Sequence, residues 1–223
     1  MSKNNNLLGG LGSVGQIELH SIESVRLWTP SIRRKTPTVG RFFSVTSVLE
    51  QAARQDDPYA DFALLELENV MNKAFSLYTN MMEQLPSLVS SRIRFTECKS
   101  NKPMIKDLNV NTRFGWRMVS LLEMYDVLMV RLFDAKYKAQ ISRTVFEKRK
   151  NEAISMIHAV LNQSLVIKHS GITRQDVVAN NAKAIEAKEK YGHILIPLEV
   201  MEGVERAEFA PEIKRNRSEL NHR

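Results

Sequence analysis

The feature that most constrains the fold is a long amphipathic segment that follows the sequence DDPYAD, residues 56–61. Asp57 is suited to cap a helix, and Pro58 is suited to the first helical position. Apolar side chains then recur at the spacing of one helical face, namely Leu67, Met71, Ala74, Tyr78 and Met81. The pattern predicts a helix that runs to about Gln84 and packs its methionines into the core.

The rest of the chain also has mainly helical periodicity. Further helices are predicted over residues 41–55, 112–137, 142–163 and 173–191, with the helix over 112–137 buried at the centre. Alternation predicts a short strand in GQIELHS, residues 15–21, and a β-ribbon near residues 92–110. The predicted fold class is mainly α with short β-ribbons, and the absence of a βαβ pattern argues against a doubly wound enzyme fold.

Composition divides the chain into three parts. Residues 1–14 are polar and rich in glycine, which predicts a flexible N-terminal tail. Residues 15–203 form a single predicted helical domain that contains the ribbon. Residues 204–223 are highly charged, which predicts a C-terminal tail.

Charge is distributed unevenly along a chain with a formal net charge of +7. Residues 24–49 contain five basic residues and no acidic ones, and residues 87–118 contain seven basic residues against two acids. Residues 50–84 show the opposite balance, with seven acids against two basic residues. Such segregation favours one basic face and a polyanionic partner, most commonly nucleic acid. The alternative is a basic protein whose charge blocks do not meet in space.

Signatures of an enzyme, a metal site or a cofactor site are weak in this sequence. Gly10, Gly12 and Gly15 satisfy GxGxxG, but they precede a predicted strand instead of a helix. The five histidines are scattered, and the aspartates of DDPYAD are explained by helix capping. Cys98 stands next to Lys99, which could lower its pKa, although a plain surface thiol is the simpler interpretation. We therefore expect no catalytic site, metal or cofactor.

No membrane span or secretory signal is recognised in the sequence, and the single cysteine suits a reducing compartment. These observations predict a cytoplasmic protein with no membrane partner.

The stretch RIRFTECKSNKPMIK, residues 92–106, suggests how DNA could be bound. A two-stranded ribbon can enter the major groove, and here the predicted ribbon precedes two helices, as in ribbon-helix-helix proteins. The candidate DNA-binding residues in and after the ribbon are Arg92, Arg94, Lys99, Asn101, Lys102, Lys106 and Arg113. Arg33, Arg34 and Lys35 of the IRRK loop are candidates for flanking phosphates. The alternative is an ordinary hairpin whose arginines are simply solvated.

Four segments resemble the family of AcaB-like transcriptional regulators, which are encoded on conjugative plasmids and integrating conjugative elements. They are QAARQDDPYADFALLELE (51–68), LHSIESVRLW (19–28), RFGWRMVSLLEMYDVL (113–128) and GITRQDVVANNAKAIEAKEKYG (171–192). The resemblance covers about residues 16–203, and the DDPYAD block is its most specific part.

The resemblance implies a DNA-binding transcriptional activator of conjugative transfer genes that binds double-stranded DNA at an operator upstream of a promoter. It also implies a homodimer of ribbon-helix-helix type, and RNA polymerase is a further candidate partner. A different class of function stays open, since the acidic helix and Met-rich apolar surfaces could dock proteins. In that case the chain is a structural or interaction protein of the conjugative transfer machinery without sequence-specific DNA contact.

Overall fold

The computed structural model describes residues 15–30, 36–86, 96 and 98–214, and these form eight helices and two short strands. In chain order the elements are β1 (Gly15–Leu19), α1 (Ile22–Arg26), α2 (Val39–Arg54), α3 (Pro58–Glu83), β2 (Met104–Leu108), α4 (Arg113–Tyr137), α5 (Arg143–Gln163), α6 (Arg174–Ala179), α7 (Ala182–Tyr191) and α8 (Leu198–Met201). The predicted class, mainly α with a short β component, is confirmed. No helix within the described residues is long and apolar enough to cross a membrane.

The core lies where the three long helices α3, α4 and α5 pack together. The rings of Tyr78 on α3 and Tyr125 on α4 are fully buried, with their centroids 5.8 Å apart. The Tyr78 hydroxyl donates a 2.9 Å hydrogen bond to the backbone carbonyl of Ala153 on α5. The predicted central helix and the methionine stripe of α3 are both part of this core.

Helix starts follow the local capping signals of the sequence. The side chains of Thr38, Asp57, Thr112, Ser142 and Thr173 each accept a backbone N–H of the helix that they precede. The sequence predicted one continuous helix over 173–191. That prediction was wrong, because the structure divides this segment into α6 and α7. Asn180 adopts a left-handed conformation with φ of 47°, and Asn181 caps α7, because asparagine tolerates both roles.

The small sheet pairs β2 with β1 in antiparallel register, from Gly15 opposite Leu108 to Leu19 opposite Met104. One face of this sheet packs against the core through the buried side chains of Ile17, Leu19 and Leu108. The sequence predicted a hairpin within residues 92–110, whereas the described partner of β2 is the distant N-terminal strand. The other half of the predicted hairpin lies outside the described residues.

The aspartates of DDPYAD fasten the C-terminal third of the chain to α3. Asp57 caps α3 and also accepts the backbone N–H groups of Ser170 and Gly171, each at 2.7 Å. Asp61 is completely buried and accepts hydrogen bonds from Arg174 at 2.7 Å and from Arg206 at 2.8 and 2.9 Å. This block is therefore a structural anchor.

Residues 204–214, which the sequence assigned to a charged tail, pack against the helices. Glu68 on α3 accepts the backbone N–H groups of Glu208 and Phe209, at 2.8 and 3.3 Å. The Arg117 guanidinium lies 4.2 Å from the centroid of the Phe209 ring. Charged composition suggested mobility, but Glu68 and Arg117 supply partners that a local pattern cannot show. Residues 215–223 lie outside the described part of the chain.

Candidate nucleic-acid interface

Half of the DNA-binding residues that the sequence suggested fall within the described structure. Arg33, Arg34, Lys35, Arg92 and Arg94 lie outside the described residues. Lys99, Asn101, Lys102, Lys106 and Arg113 are described, and the side chains of all five are exposed.

The β1–β2 ribbon presents an acidic outer face. Directly opposite residues of an antiparallel pair share a face, so Gln16 and Asp107 stand together, as do Glu18 and Ile105. Gln16 donates a 2.7 Å hydrogen bond to the Asp107 carboxylate. This outer face thus carries two carboxylates and no cation, and it would repel phosphates. The basic ribbon expected over residues 92–110 is thus not this pair of strands, and with Arg92 and Arg94 outside the described residues it stays a prediction.

The lysines in and before β2 do not lie on this acidic outer face. Lys106 stands opposite Ile17, on the other face of the sheet from Asp107. Lys99 and Lys102 lie in the loop before β2, where the Ser100 backbone N–H donates to Nδ1 of His20 at 3.2 Å. The ribbon candidates therefore divide between a loop and the opposite face of the sheet.

Arg113 at the start of α4 has a structural contact. Its Nη1 donates to the backbone carbonyl of Ala210 at 3.3 Å, so it helps to hold residues 204–214. The backbone N–H groups of Arg113 and Phe114 donate to the carboxylate of Glu50 on α2, at 3.3 and 2.9 Å. Glu50 thus joins α2 to the N-terminus of α4.

The described residues support neither a reactive thiol nor a metal site. The pKa of Cys98 is raised instead of lowered, because partial desolvation and the nearby Asp134 carboxylate disfavour its thiolate. Within the described ranges, no group of histidine, cysteine or carboxylate side chains could hold a metal ion.

The exposed face of α2 carries no carboxylate. Its exposed residues are Gly40, Arg41, Ser44, Val48, Gln51 and Arg54. Glu50, the single acid of this helix, is buried and directed at α4. The outward surface of α2 therefore combines positive charge with neutral hydrogen-bonding side chains.

A groove of about 470 Å³ runs along one flank of α2, between this helix and the segment that follows α5. Four of its lining residues have nitrogen-containing side chains that carry or can accept positive charge: Arg41, Lys168, His169 and Lys190. Carboxylates are absent from the lining residues of this cationic groove in the described structure. Its positive charge comes from three separate segments that meet only in the folded chain.

A second groove, of about 370 Å³, lies between α2 and the β2–α4 connection. Asn109 and Asn111 line it from the β2–α4 connection, and Ser44 and Ser47 line it from α2. Asp107 is its one carboxylate among the lining residues of the described chain. We call it the amide groove, and Ser44 borders both grooves.

The carboxyl group of Glu50 makes the attachment of α2 sensitive to pH. Burial raises its pKa above the ordinary value of 4.5, against the lowering effect of its hydrogen bonds to the start of α4. A raised folded-state pKa means that its contribution to stability is complete below pH 4.5 and is lost as pH rises through the raised value.

We expect the stability of the native protein to fall relative to Glu50→Gln as pH rises above 4.5. Urea unfolding of both proteins, repeated at a series of pH values from 4.5 upward, measures the difference between their free energies of unfolding. A difference that stays constant or moves in favour of the native protein would contradict this account of Glu50.

Part of this surface was visible in the sequence. The acid-free stretch 24–49 contains Arg41, yet nothing in the sequence joins Arg41 to Lys168 and Lys190. Their meeting depends on how the segment after α5 and the end of α7 pack beside α2.

Comparisons with known proteins find a family model and a solved structure that are similar to this chain. The model of a family described as "Transcriptional regulator AcaB" matches residues 7–214 of this chain. The crystal structure of selenomethionine-containing AcaB from uropathogenic E. coli is similar, with a TM-score of 0.51 and 13% sequence identity. The alignment covers 85% of this chain and 94% of that chain, and at this identity it shows likeness of fold alone. None of the curated proteins matches.

Proposed function

Because this chain belongs to the AcaB family of transcriptional regulators, we propose that it binds double-stranded DNA and recognises a specific sequence upstream of a promoter. Regulators that recognise an operator combine phosphate contacts with contacts to base edges. The proposal therefore requires a surface that offers both cations and hydrogen-bonding side chains.

One observation carries this proposal, the carboxylate-free face of α2 beside the cationic groove. Arg41, Lys168 and Lys190 supply positive charge there, and Ser44 and Gln51 supply hydrogen-bonding groups. Lysine and arginine that neutralise phosphates release counterions, which is the main source of affinity for DNA.

The finer parts of the function rest on the family resemblance. We propose that the protein acts as an activator of conjugative transfer genes, that it binds as a homodimer, and that RNA polymerase is a further partner. A homodimer would bring two copies of the cationic groove to one operator, which would double the number of phosphate contacts.

A ribbon-helix-helix arrangement is a competing way to bind the same DNA. The order β2, α4, α5 keeps the succession of a strand followed by two helices. The acidic outer face of the β1–β2 ribbon disfavours it, as does the pairing of β2 with a strand of its own chain. Arg92 and Arg94 remain its strongest candidates.

A role as an interaction protein is the second candidate. Met71 and Met81 of the acidic helix α3 are buried in the core, so they offer no Met-rich docking surface. Large apolar side chains are instead exposed near the C-terminal helices, with Val178 87%, Leu195 88% and Val204 78% exposed. Exposed apolar groups mark an interaction surface when they cluster, so this candidate function requires these three side chains to form one patch.

Selection from randomised duplex DNA with the full chain tests the proposed function. We expect one sequence to be enriched, and we expect that duplex to be bound roughly 1,000-fold or more tightly than random competitor at physiological salt. Failure to enrich any sequence, together with equal affinity for all duplexes, would favour the interaction protein instead.

A further inference from the structure

We propose that α2 is the DNA-reading helix of this protein and that the cationic groove beside it holds the phosphates of one strand. The inference rests on the proposed function, since it identifies the surface that such a function would use. It replaces the β-ribbon as the part of the chain that enters the major groove.

The shape of this surface suits duplex DNA. An α-helix with its side chains is about 10–12 Å wide, and the major groove of B-DNA is about 12 Å wide. The two grooves border the exposed face of α2 and share Ser44, so this face of the helix forms a ridge between two depressions. A ridge of this width can enter the major groove while the two backbones lie to either side of it.

The charge distribution favours phosphate in the cationic groove. Among the described residues, no ion pair engages Arg41, Lys168 or Lys190. The arginines that are paired with carboxylates, Arg174 and Arg206, lie in the buried network around Asp61. The three cations beside α2 are therefore available to a polyanion without the loss of an existing ion pair.

The amide groove offers DNA a different chemistry. The amide groove contains Asp107, which opposes a phosphate, but Asn109 and Asn111 offer neutral N–H donors. We therefore place the stronger electrostatic contact on the side of Lys168 and Lys190.

The exposed side chains of α2 are suited to read bases. Ser44, Val48 and Gln51 follow one another at helical spacing along the exposed face. Glutamine can pair bidentately with adenine, serine can bond to several bases, and an apolar side chain can contact the thymine methyl group. Arg41 at the start of the same face could pair with guanine or contact phosphate.

α2 is held rigidly enough to act as a reading element. Phe42 and Leu49 are buried on its inner face, and the Glu50 carboxylate binds the start of α4. Thr38 caps its first turn. A helix fixed in this way needs little ordering when it binds DNA.

The first test uses the duplex recovered by selection and the full-length variant Arg41→Ala/Lys168→Ala/Lys190→Ala. Each phosphate that is neutralised makes the slope of log affinity against log salt concentration steeper by about 0.9. Since the variant loses three cations, we expect its affinity at 0.1 M salt to be lower on the order of 100-fold. The matched control is Lys73→Ala/Arg143→Ala/Lys148→Ala, which removes the same charges from exposed positions on α3 and α5. Equal weakening of the two variants would overturn the assignment.

The second test concerns base reading. Repeating the selection with Ser44→Ala/Gln51→Ala should yield a changed sequence preference, since these side chains lie on the proposed reading face. An unchanged preference would remove α2 from the major groove. Urea unfolding should show that Arg41→Ala/Lys168→Ala/Lys190→Ala and Ser44→Ala/Gln51→Ala are as stable as the native protein, because the substituted side chains are exposed.

The outcomes separate this inference from the proposed function. If the native protein enriches no sequence, the proposed function itself fails. If the native protein binds and the triple variant binds equally well, α2 is the wrong surface. Loss of binding restricted to Arg92→Ala/Arg94→Ala would return the contact to the ribbon.

Discussion

Asp61→Ala is expected to lower the free energy of unfolding by about 3 kcal/mol, the low end of the range for removing one partner of a buried ion pair. Asp61 is completely buried and binds both Arg174 and Arg206. Its removal leaves two guanidinium groups without their shared carboxylate. Arg174 would keep Asp56 and two backbone carbonyls, which moderates the loss.

Glu83→Ala is the control for this prediction, because Glu83 is an exposed carboxylate on the same helix. We expect it to change the free energy of unfolding by less than about 0.5 kcal/mol. Urea unfolding followed by far-ultraviolet circular dichroism measures both variants. Equal stabilities of Asp61→Ala and Glu83→Ala would show that the Asp61 network contributes nothing to the fold.

Asp57→Ala is expected to have an effect of similar size, about 3 kcal/mol, by a different route. The Asp57 carboxylate caps α3 through Tyr59 and Ala60, and it also binds the backbone of Ser170 and Gly171. Loss of the cap costs about 1 kcal/mol, and each unsatisfied N–H group of the second set adds a further cost of about 1 kcal/mol or more.

Ser142→Ala separates these two roles of Asp57, because Ser142 caps α5 through a single bond to Val145. We expect Ser142→Ala to cost about 1 kcal/mol, as an ordinary exposed cap does. Hydrogen exchange should show the amides of Ser170 and Gly171 losing protection in Asp57→Ala alone. A loss of stability in Asp57→Ala no larger than that in Ser142→Ala would mean that the bonds to residues 170 and 171 are unimportant.

These two predictions give the most specific part of the family resemblance a structural role. Asp57 and Asp61 fix the segment after α5 and residues 204–214 to the start of α3. Asp57 binds Ser170, which directly follows Lys168 and His169 of the cationic groove. DDPYAD therefore acts on the proposed interface by holding its surroundings in place.

Local patterns were sufficient to predict the long helices. The bounds of α3, α4 and α5 lie within one or two residues of those that apolar spacing and caps indicated. Capping is a short-range interaction between a side chain and the next turn, so Asp57 and Ser142 carry that information in the sequence itself. The division at Asn180 was missed because asparagine is tolerated inside a helix as well as in a left-handed turn.

Contacts between distant segments could not be predicted in this way. Alternation identified β1 and part of the ribbon near β2, but it does not reveal which strand pairs with which. The pairing of Gln16 with Asp107 made the outer face acidic, although the sequence around β2 is basic. For the same reason the cationic groove, which joins Arg41 to Lys168 and Lys190, becomes visible only in the fold.

The salt dependence of binding to the selected duplex tests the central claim most directly. The slope of the logarithm of the association constant against the logarithm of salt concentration should become less steep by at least about 2 in Arg41→Ala/Lys168→Ala/Lys190→Ala than in the native protein. That result would mean that these side chains neutralise phosphates. Identical slopes for the two proteins would contradict the assignment of DNA to α2 and its cationic groove.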